Sequence, residues 1–454
     1  MKQAIIIGGI LVFLSVALWL AADRQSEDAT FSGTTTGLPE KIEFRYHVRP
    51  ILSDKCFKCH GPDANKRMAG LRLDIEDEAM SELSESPGKH AIIPGDAENS
   101  ELITRVFTDD PSLIMPPPDS HLSLSEYEKE VLTNWIEQGA EYQGHWAFLP
   151  VARPALPEVA HQDQTANEID LFILGKLEEK GLSLSPPAPE EQLIRRLSLD
   201  LTGLPPTYEE IRRFSSGGDE AGYEKAVDHY LSSPAYGEHM ARRWLDVARY
   251  ADSHGYQDDS YRSMWPWRDW VIHAFNENMP YDRFLTWQLA GDLLPDTDKE
   301  KMLATGFNRN HPITQEGGVI DEEYRVAYVT DRTNTLGKGI LGITLECAAC
   351  HDHKYDPVSM KEYYGFFAFF NNVSEKGLQM DAVQAANRKY YADEPSISIT
   401  DEEVASILDF INKPDTGTVK VMVMNDSLPR QAYVLERGQY DAHGEPVLPG
   451  TPEA

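Results

Sequence analysis

Two pentapeptides, CFKCH at Cys56–His60 and CAACH at Cys347–His351, share a spacing that does chemistry, and together they use all four cysteines of the 454-residue chain. No cysteine is left for a structural disulfide. A C-x-x-C-H run is the pattern of covalent haem attachment: each thiol adds to a vinyl group of the porphyrin, and the adjoining imidazole becomes an axial ligand of the iron. Cys56, Cys59 and His60 satisfy it once, Cys347, Cys350 and His351 a second time. C-x-x-C alone would also suit a thioredoxin-type dithiol or half of a zinc site. A dithiol needs no histidine behind it, however, and a four-ligand zinc site would have to recruit both distant motifs. Two covalently attached c-type haems are the expectation, with His60 and His351 as proximal ligands.

A sixth ligand is needed to close an iron. The run DDPSLIMPPPDSH offers Met115 beside three prolines, where restricted backbone freedom holds a thioether in place at little entropic cost. His90, His121 and His145 are the alternatives. For the second motif the distal ligand is not legible: His254, His311, His353 and Met360 are candidates, although His353 lies too near His351 in sequence to reach the opposite face of one iron. An open sixth position there would favour catalysis over electron relay. Asp352, His353 and Asp356 of HDHKYD read as groups that orient the ligand rather than as a cation site.

These residues need scaffolding, and the pattern around them is helical. Phe44, Val48, Ile51 and Leu52 form one apolar face leading into the first motif, with Pro50 marking a kink or a late helix start. Ser125 and Glu128 form a capping box before a helix whose buried face is Val131, Leu132, Trp135 and Ile136, stopped at Gly139. Pro150, Pro154 and Pro157 then punctuate a linker. Beyond it, Ile169, Phe172, Ile173 and Leu177 share a helical face, Thr207 and Glu210 form a second capping box, and Ser233 caps a helix that Pro234 opens. Ser359 and Glu362 form a third box, placing Tyr363, Phe366, Phe367 and Phe370 along one stripe. That stripe reads first as ordinary core, and beside a haem it would also exclude water and raise the potential.

The segment from Ile42 to Tyr142, through RPILSDKCFKCHG, GLRLD, IIPGDAENSELITRV and MPPP, resembles the cytochrome c domain at the start of large exported planctomycete proteins. Asn167 to Asn372 resembles the second domain of the same proteins, through IRRLSLDLTGLPPT, RWLDVARYADSHGY, WRDWVIHAFNENMPYDRF, QLAGDLLP and CAACHDHKYDPVSMKEYYGFFAFFNN. The resemblance implies that the methionine of the M-P-P run, Met115, is the distal ligand. It also implies that the last stretch opens a further C-terminal domain that stops short at Ala454. The activity of that family is poorly defined, so the resemblance speaks to architecture more than to reaction.

The expected fold is mainly α: a small cytochrome c-like helical domain, a larger helical domain, and a short β or irregular C-terminal tail. The boundaries run 1–22 for a signal peptide or membrane anchor, 23–40 for a flexible linker, 41–143 for the cytochrome c-like domain, 144–166 for the Pro-rich linker, 167–372 for the helical domain with the second motif, and 373–454 for the incomplete last domain. That tail carries a helical stretch near Glu402–Phe410 and a strand-like TVKVMVMND. The leader has one lysine ahead of an apolar run from Ala4 to Ala22, and Leu20 suits cleavage poorly, so an uncleaved anchor in the inner membrane is expected. Forty-two basic against 74 acidic side chains give a net charge of −32, which argues against nucleic acid and anionic membrane surfaces as partners, the membrane being met only through the N-terminal segment. The expected role is electron transfer in the periplasm with an extracytoplasmic donor or acceptor bearing a basic docking surface. The alternative is a haem-dependent oxidoreductase acting on a substrate such as a carbohydrate, with the first haem as electron outlet.

Overall fold

A computed structural model describes residues 37–63, 66–144, 146–215, 220–257, 259–353, 356–377, 392–400 and 418–453. The leader, His145 and the stretch Glu402–Phe410 lie outside the described residues. The chain divides into two compact units, one reaching Gly61 and continuing over Lys66–Ala147, the other comprising Pro62–Asn65 and Phe148–Ala454. The fold is mainly α, with fifteen α-helices and two short two-stranded antiparallel sheets among the described residues.

In the first unit a π-helical turn at Phe44–Val48 runs into α1 (Arg49–Lys55), with Pro50 in the first turn, so the proline marks a late helix start. A one-turn helix, α2 (Phe57–His60), carries the first motif, followed by α3 (Glu76–Met80), α4 (Glu101–Phe107) and α5 (Glu126–Glu137). The capping box of α5 forms with both of its hydrogen bonds, and Val131, Leu132, Trp135 and Ile136 are its buried face. Phe44, Val48 and Leu52 join that face in one core, where the Phe44 and Tyr142 rings meet at a tilt of 35° with centroids 4.4 Å apart.

The second unit comprises α6 (Glu168–Glu179), α7 (Glu190–Thr202), α8 (Tyr208–Ser215), α9 (Glu220–Leu231), α10 (Pro234–Ala248), α11 (Trp265–Asn276), α12 (Tyr281–Ala290), α13 (Lys299–Ala304), α14 (Asp321–Leu336) and α15 (Met360–Ala368). The caps at Thr207/Glu210, Ser233 and Ser359/Glu362 all form. Strands β1 (Ser396–Thr400) and β2 (Thr418–Met422) pair in antiparallel register, as do β3 (Ala432–Leu435) and β4 (His443–Val447). Both sheets sit in this unit's cores: Ile399, Val419 and Val421 pack with the tryptophans of α11, and Val434, Leu435 and Val447 pack with the aromatic stripe of α15. The tail set apart in the sequence as the opening of another domain thus supplies buried faces to the helices before it.

One helix departs from its pattern. Ile169, Phe172 and Ile173 of α6 are exposed and only Leu174 is buried. The cause is local: the preceding segment lies against the neighbouring face, with Pro157 and Val159 beside Gly175 and the N–H groups of Ala160 and His161 donating to the Glu178 carboxylate.

Candidate haem-attachment sites

Both motifs fold into the same turn. The Cys56 carbonyl accepts from the Cys59 N–H at 3.1 Å and the His60 N–H at 2.9 Å; the Cys347 carbonyl accepts from Cys350 at 3.2 Å and His351 at 3.3 Å. A helical turn brings residues three and four apart to one face, so each turn presents two thiols and an imidazole together. All four cysteines are free of disulfides.

At the first site the backbone of residues 68–73 holds the turn from one side: Met68 N–H donates to the Cys59 carbonyl at 2.8 Å, and Leu73 N–H to the His60 carbonyl at 2.9 Å. Gly61 closes it, because a Cβ there would lie 2.4 Å from the Phe57 carbonyl oxygen. Burial holds the His60 imidazole below its ordinary range, against the Met68 carbonyl and with Arg105 adding to the effect. The ring is therefore neutral, the form that binds metal. Its Nδ1 is buried with no hydrogen-bond partner, an imidazole nitrogen left for a group the protein does not supply. Burial beside Cys59 pushes the Cys56 thiol up to about 12. A desolvated thiol of that kind is costly as a zinc-binding thiolate, whereas a neutral thioether carries no such cost.

Met115 lies on the loop after α4, joined to Pro116 by a cis peptide bond, and its N–H donates to the Arg105 carbonyl at 2.9 Å. Arg105, whose guanidinium is held by Glu101 at 3.1 Å, is thus tied to the Met115 backbone and electrostatically felt by His60. Sequence reasoning passed over Arg105; its only signal was the i, i+4 spacing with Glu101. Of the alternatives to Met115, His90 Nδ1 is bonded to the Met80 carbonyl at 2.9 Å, and His121 is exposed with a left-handed backbone.

At the second site Cys347 and Cys350 are exposed. His351 Nδ1 donates to the Asp352 carbonyl at 2.7 Å, which fixes the tautomer and leaves the Nε2 lone pair available to a metal. Asp352 and His353 brace the loop: Asp352 accepts from the Met360 N–H at 2.8 Å, and His353 Nδ1 accepts from the Asp356 N–H at 2.9 Å. Behind the turn, Tyr364 donates to the Ala349 carbonyl at 2.8 Å, and Tyr363, Phe366, Phe367 and Phe370 are buried as core.

Two of the four distal candidates are engaged elsewhere through both ring nitrogens. His254 is bonded to the Ser260 carbonyl and to Asp393, each at 2.6 Å. His311 is bonded to the Pro312 carbonyl at 2.9 Å and to Arg332 at 2.7 Å. Arg332 can only donate, so His311 Nε2 accepts and the ring is neutral; burial and the adjacent Arg332 lower its pKa to about 3. Met360 remains, partly buried at the start of α15. Among the described residues no three His, Cys, Asp or Glu side chains group to hold a metal ion.

The residues present at the first turn, Cys56, Cys59 and His60, fit haem c. Comparison with known families gives two matches, Planctomycete cytochrome C over residues 56–119 and Protein of unknown function (DUF1549) over residues 168–375. No curated protein and no solved structure matches the chain. The first match covers Cys56, Cys59, His60 and Met115, and the second covers Cys347, Cys350 and His351. A haem-binding cytochrome c domain followed by the helical domain of unknown function is the order in which these families lie along the chain, the order of the planctomycete-type cytochrome c proteins that it resembles.

Proposed function

We propose that the protein is an exported dihaem c-type cytochrome that passes electrons between an extracytoplasmic donor and acceptor. The observation that carries this reading is the repeated turn: in both motifs one carbonyl organises two thiols and a histidine, and among the described residues each histidine keeps one ring nitrogen without a protein partner. Cys56, Cys59, Cys347 and Cys350 would hold the haems, His60 and His351 would take the proximal positions, and Met115 the distal position of the first. Bound haem supplies one-electron chemistry at iron. The chain's part is to bury His60 as a neutral ring, to place a cationic Arg105 near it, and to offer a thioether that favours the reduced state. The leader, Ala4 to Ala22, supports export and tethering at the inner membrane, and the net charge of −32 supports a redox partner with a basic face.

A second reading, oxidation of a substrate such as a carbohydrate at the second haem, is favoured by one observation. His254 and His311 are committed to buried partners, which leaves fewer protein groups to close that iron. Spectra of the loaded chain with and without cyanide or carbon monoxide separate the two. Two low-spin irons that ignore both ligands support electron transfer, and ligand binding at one iron supports the enzyme. A chain that attaches no haem defeats both.

A further inference from the structure

The second attachment turn has a neighbour that lies outside both matched regions, residues 56–119 and 168–375. Strands β3 and β4 anchor a hairpin in the core that holds Ala348 and Tyr364, through Ala432, Val434 and Val447. Beyond it the chain follows α15, with Gly450 N–H donating to the Gly365 carbonyl at 3.1 Å. So anchored, the hairpin's turn, Glu436–Gly438, lands on Cys350. A Cβ at position 438 would stand 3.2 Å from Cys350 Sγ and 3.6 Å from the Ala349 carbonyl oxygen, and the backbone there has φ +73°. Glycine answers both demands at once, a left-handed conformation and a close approach to sulfur. Tyr364 bonds the same Ala349 carbonyl, so the turn is held from α15 and from the hairpin.

We infer that the C-terminal hairpin is a working part of the second haem-attachment site and that Gly438 is its positioning residue, setting how Cys350 presents its thiol. The inference rests on the reading that the second motif takes haem. Attachment adds Cys350 Sγ to the inner carbon of a vinyl group and the thiol hydrogen to the outer carbon, so nothing leaves and no oxidant is consumed. The step demands that both sulfurs stand at the separation of two vinyl groups while His351 stays beneath. A side chain at 438 makes Sγ or the hairpin give way by a few tenths of an ångström, and that displacement moves the thiol from that geometry.

The test matures the full chain in a strain with a c-type haem attachment system and compares wild type with Gly438→Val, Gly438→Asn and Glu445→Ala. Asparagine tolerates the left-handed backbone but carries a Cβ, so it separates contact with sulfur from backbone strain. Glu445 pairs with Lys361 at the surface at 3.0 Å and serves as a hairpin control. Mass measurement under denaturing conditions counts haems, peptide mapping shows which cysteines carry them, and the alkylation rate of Cys350 in haem-free chain reports the thiol directly. The expected result is two haems in wild type and Glu445→Ala. Gly438→Val and Gly438→Asn should keep the first haem, show at least fivefold lower attachment at Cys350, and alkylate Cys350 at a changed rate. Both Gly438 variants attaching haem through all four cysteines at the wild-type level, with Cys350 alkylation unchanged, would overturn the inference while leaving the second haem standing. Wild type carrying haem at the first motif alone would overturn the underlying reading and this inference with it.

Discussion

Removing the Glu375 carboxylate should destabilise the second unit more than almost any other single change. Glu375 is 4% exposed and accepts from Arg332 through both oxygens at 2.5 Å and from Arg309. Burial opposes its ionisation, yet Arg332 and Arg309 outweigh that and hold the carboxyl well below its usual range. Replacing Glu375 with alanine leaves two fully buried guanidinium groups without the carboxylate that bridges them, and breaking a buried pair in that way costs about 3–5 kcal/mol. For a unit of this size that corresponds to a fall in Tm of about 6–10 °C. Glu375→Gln keeps the shape and loses the charge, so it should recover less than half of the loss. Urea titrations followed by tryptophan fluorescence suit the measurement, since Trp244, Trp265, Trp267, Trp270 and Trp287 all lie in this unit. A Glu375→Ala chain within about 1 kcal/mol of wild type would refute the reasoning, because the arginines would then have found water or other partners.

His311 should make the same unit acid-sensitive. Its folded pKa near 3 lies below the unfolded value of about 6.5, so the unfolded chain binds the proton first. Stability is then fully present above about pH 6.5 and falls progressively towards pH 3, by up to about 5 kcal/mol; a stability curve flat between pH 7 and pH 4 would contradict this. In haem-free protein at pH 8, Cys56 should alkylate at least ~100-fold more slowly than an ordinary exposed thiol, because burial keeps it protonated; equal rates would remove that argument. Met115→Ala should lower the potential of one haem by on the order of 0.1–0.3 V, within the ~0.8 V range that axial ligands span, and an unchanged redox titration would remove Met115 as ligand. Ser125→Ala should cost the first unit about 1 kcal/mol through loss of the cap, read as a lower urea midpoint with the slope unchanged.

What the sequence made legible was local. Caps at Ser125, Thr207, Ser233 and Ser359, the buried faces of α5 and α15, and the two C-x-x-C-H turns all depend on residues within about one or two helical turns of each other, and such patterns are readable without knowing the fold. What escaped depended on distant contacts. His254 looked available as a ligand because Asp393, its partner, lies 139 residues away. The apolar stripe of α6 predicted burial, but the linker occupies the adjacent face, and periodicity carries no record of where a preceding segment docks. Arg105 and Gly438 each gain meaning from a loop brought beside them by tertiary folding. A glycine in an unremarkable hairpin turn carries no sign that it touches a cysteine 88 positions earlier.

The most direct measurement of the central claim is the mass, under denaturing conditions, of the full chain matured with a c-type haem attachment system. Two covalently added haems, one mapped to Cys56 and Cys59 and one to Cys347 and Cys350, are the predicted result. A mass gain of one haem would contradict the dihaem account, and no gain would contradict covalent haem at either turn.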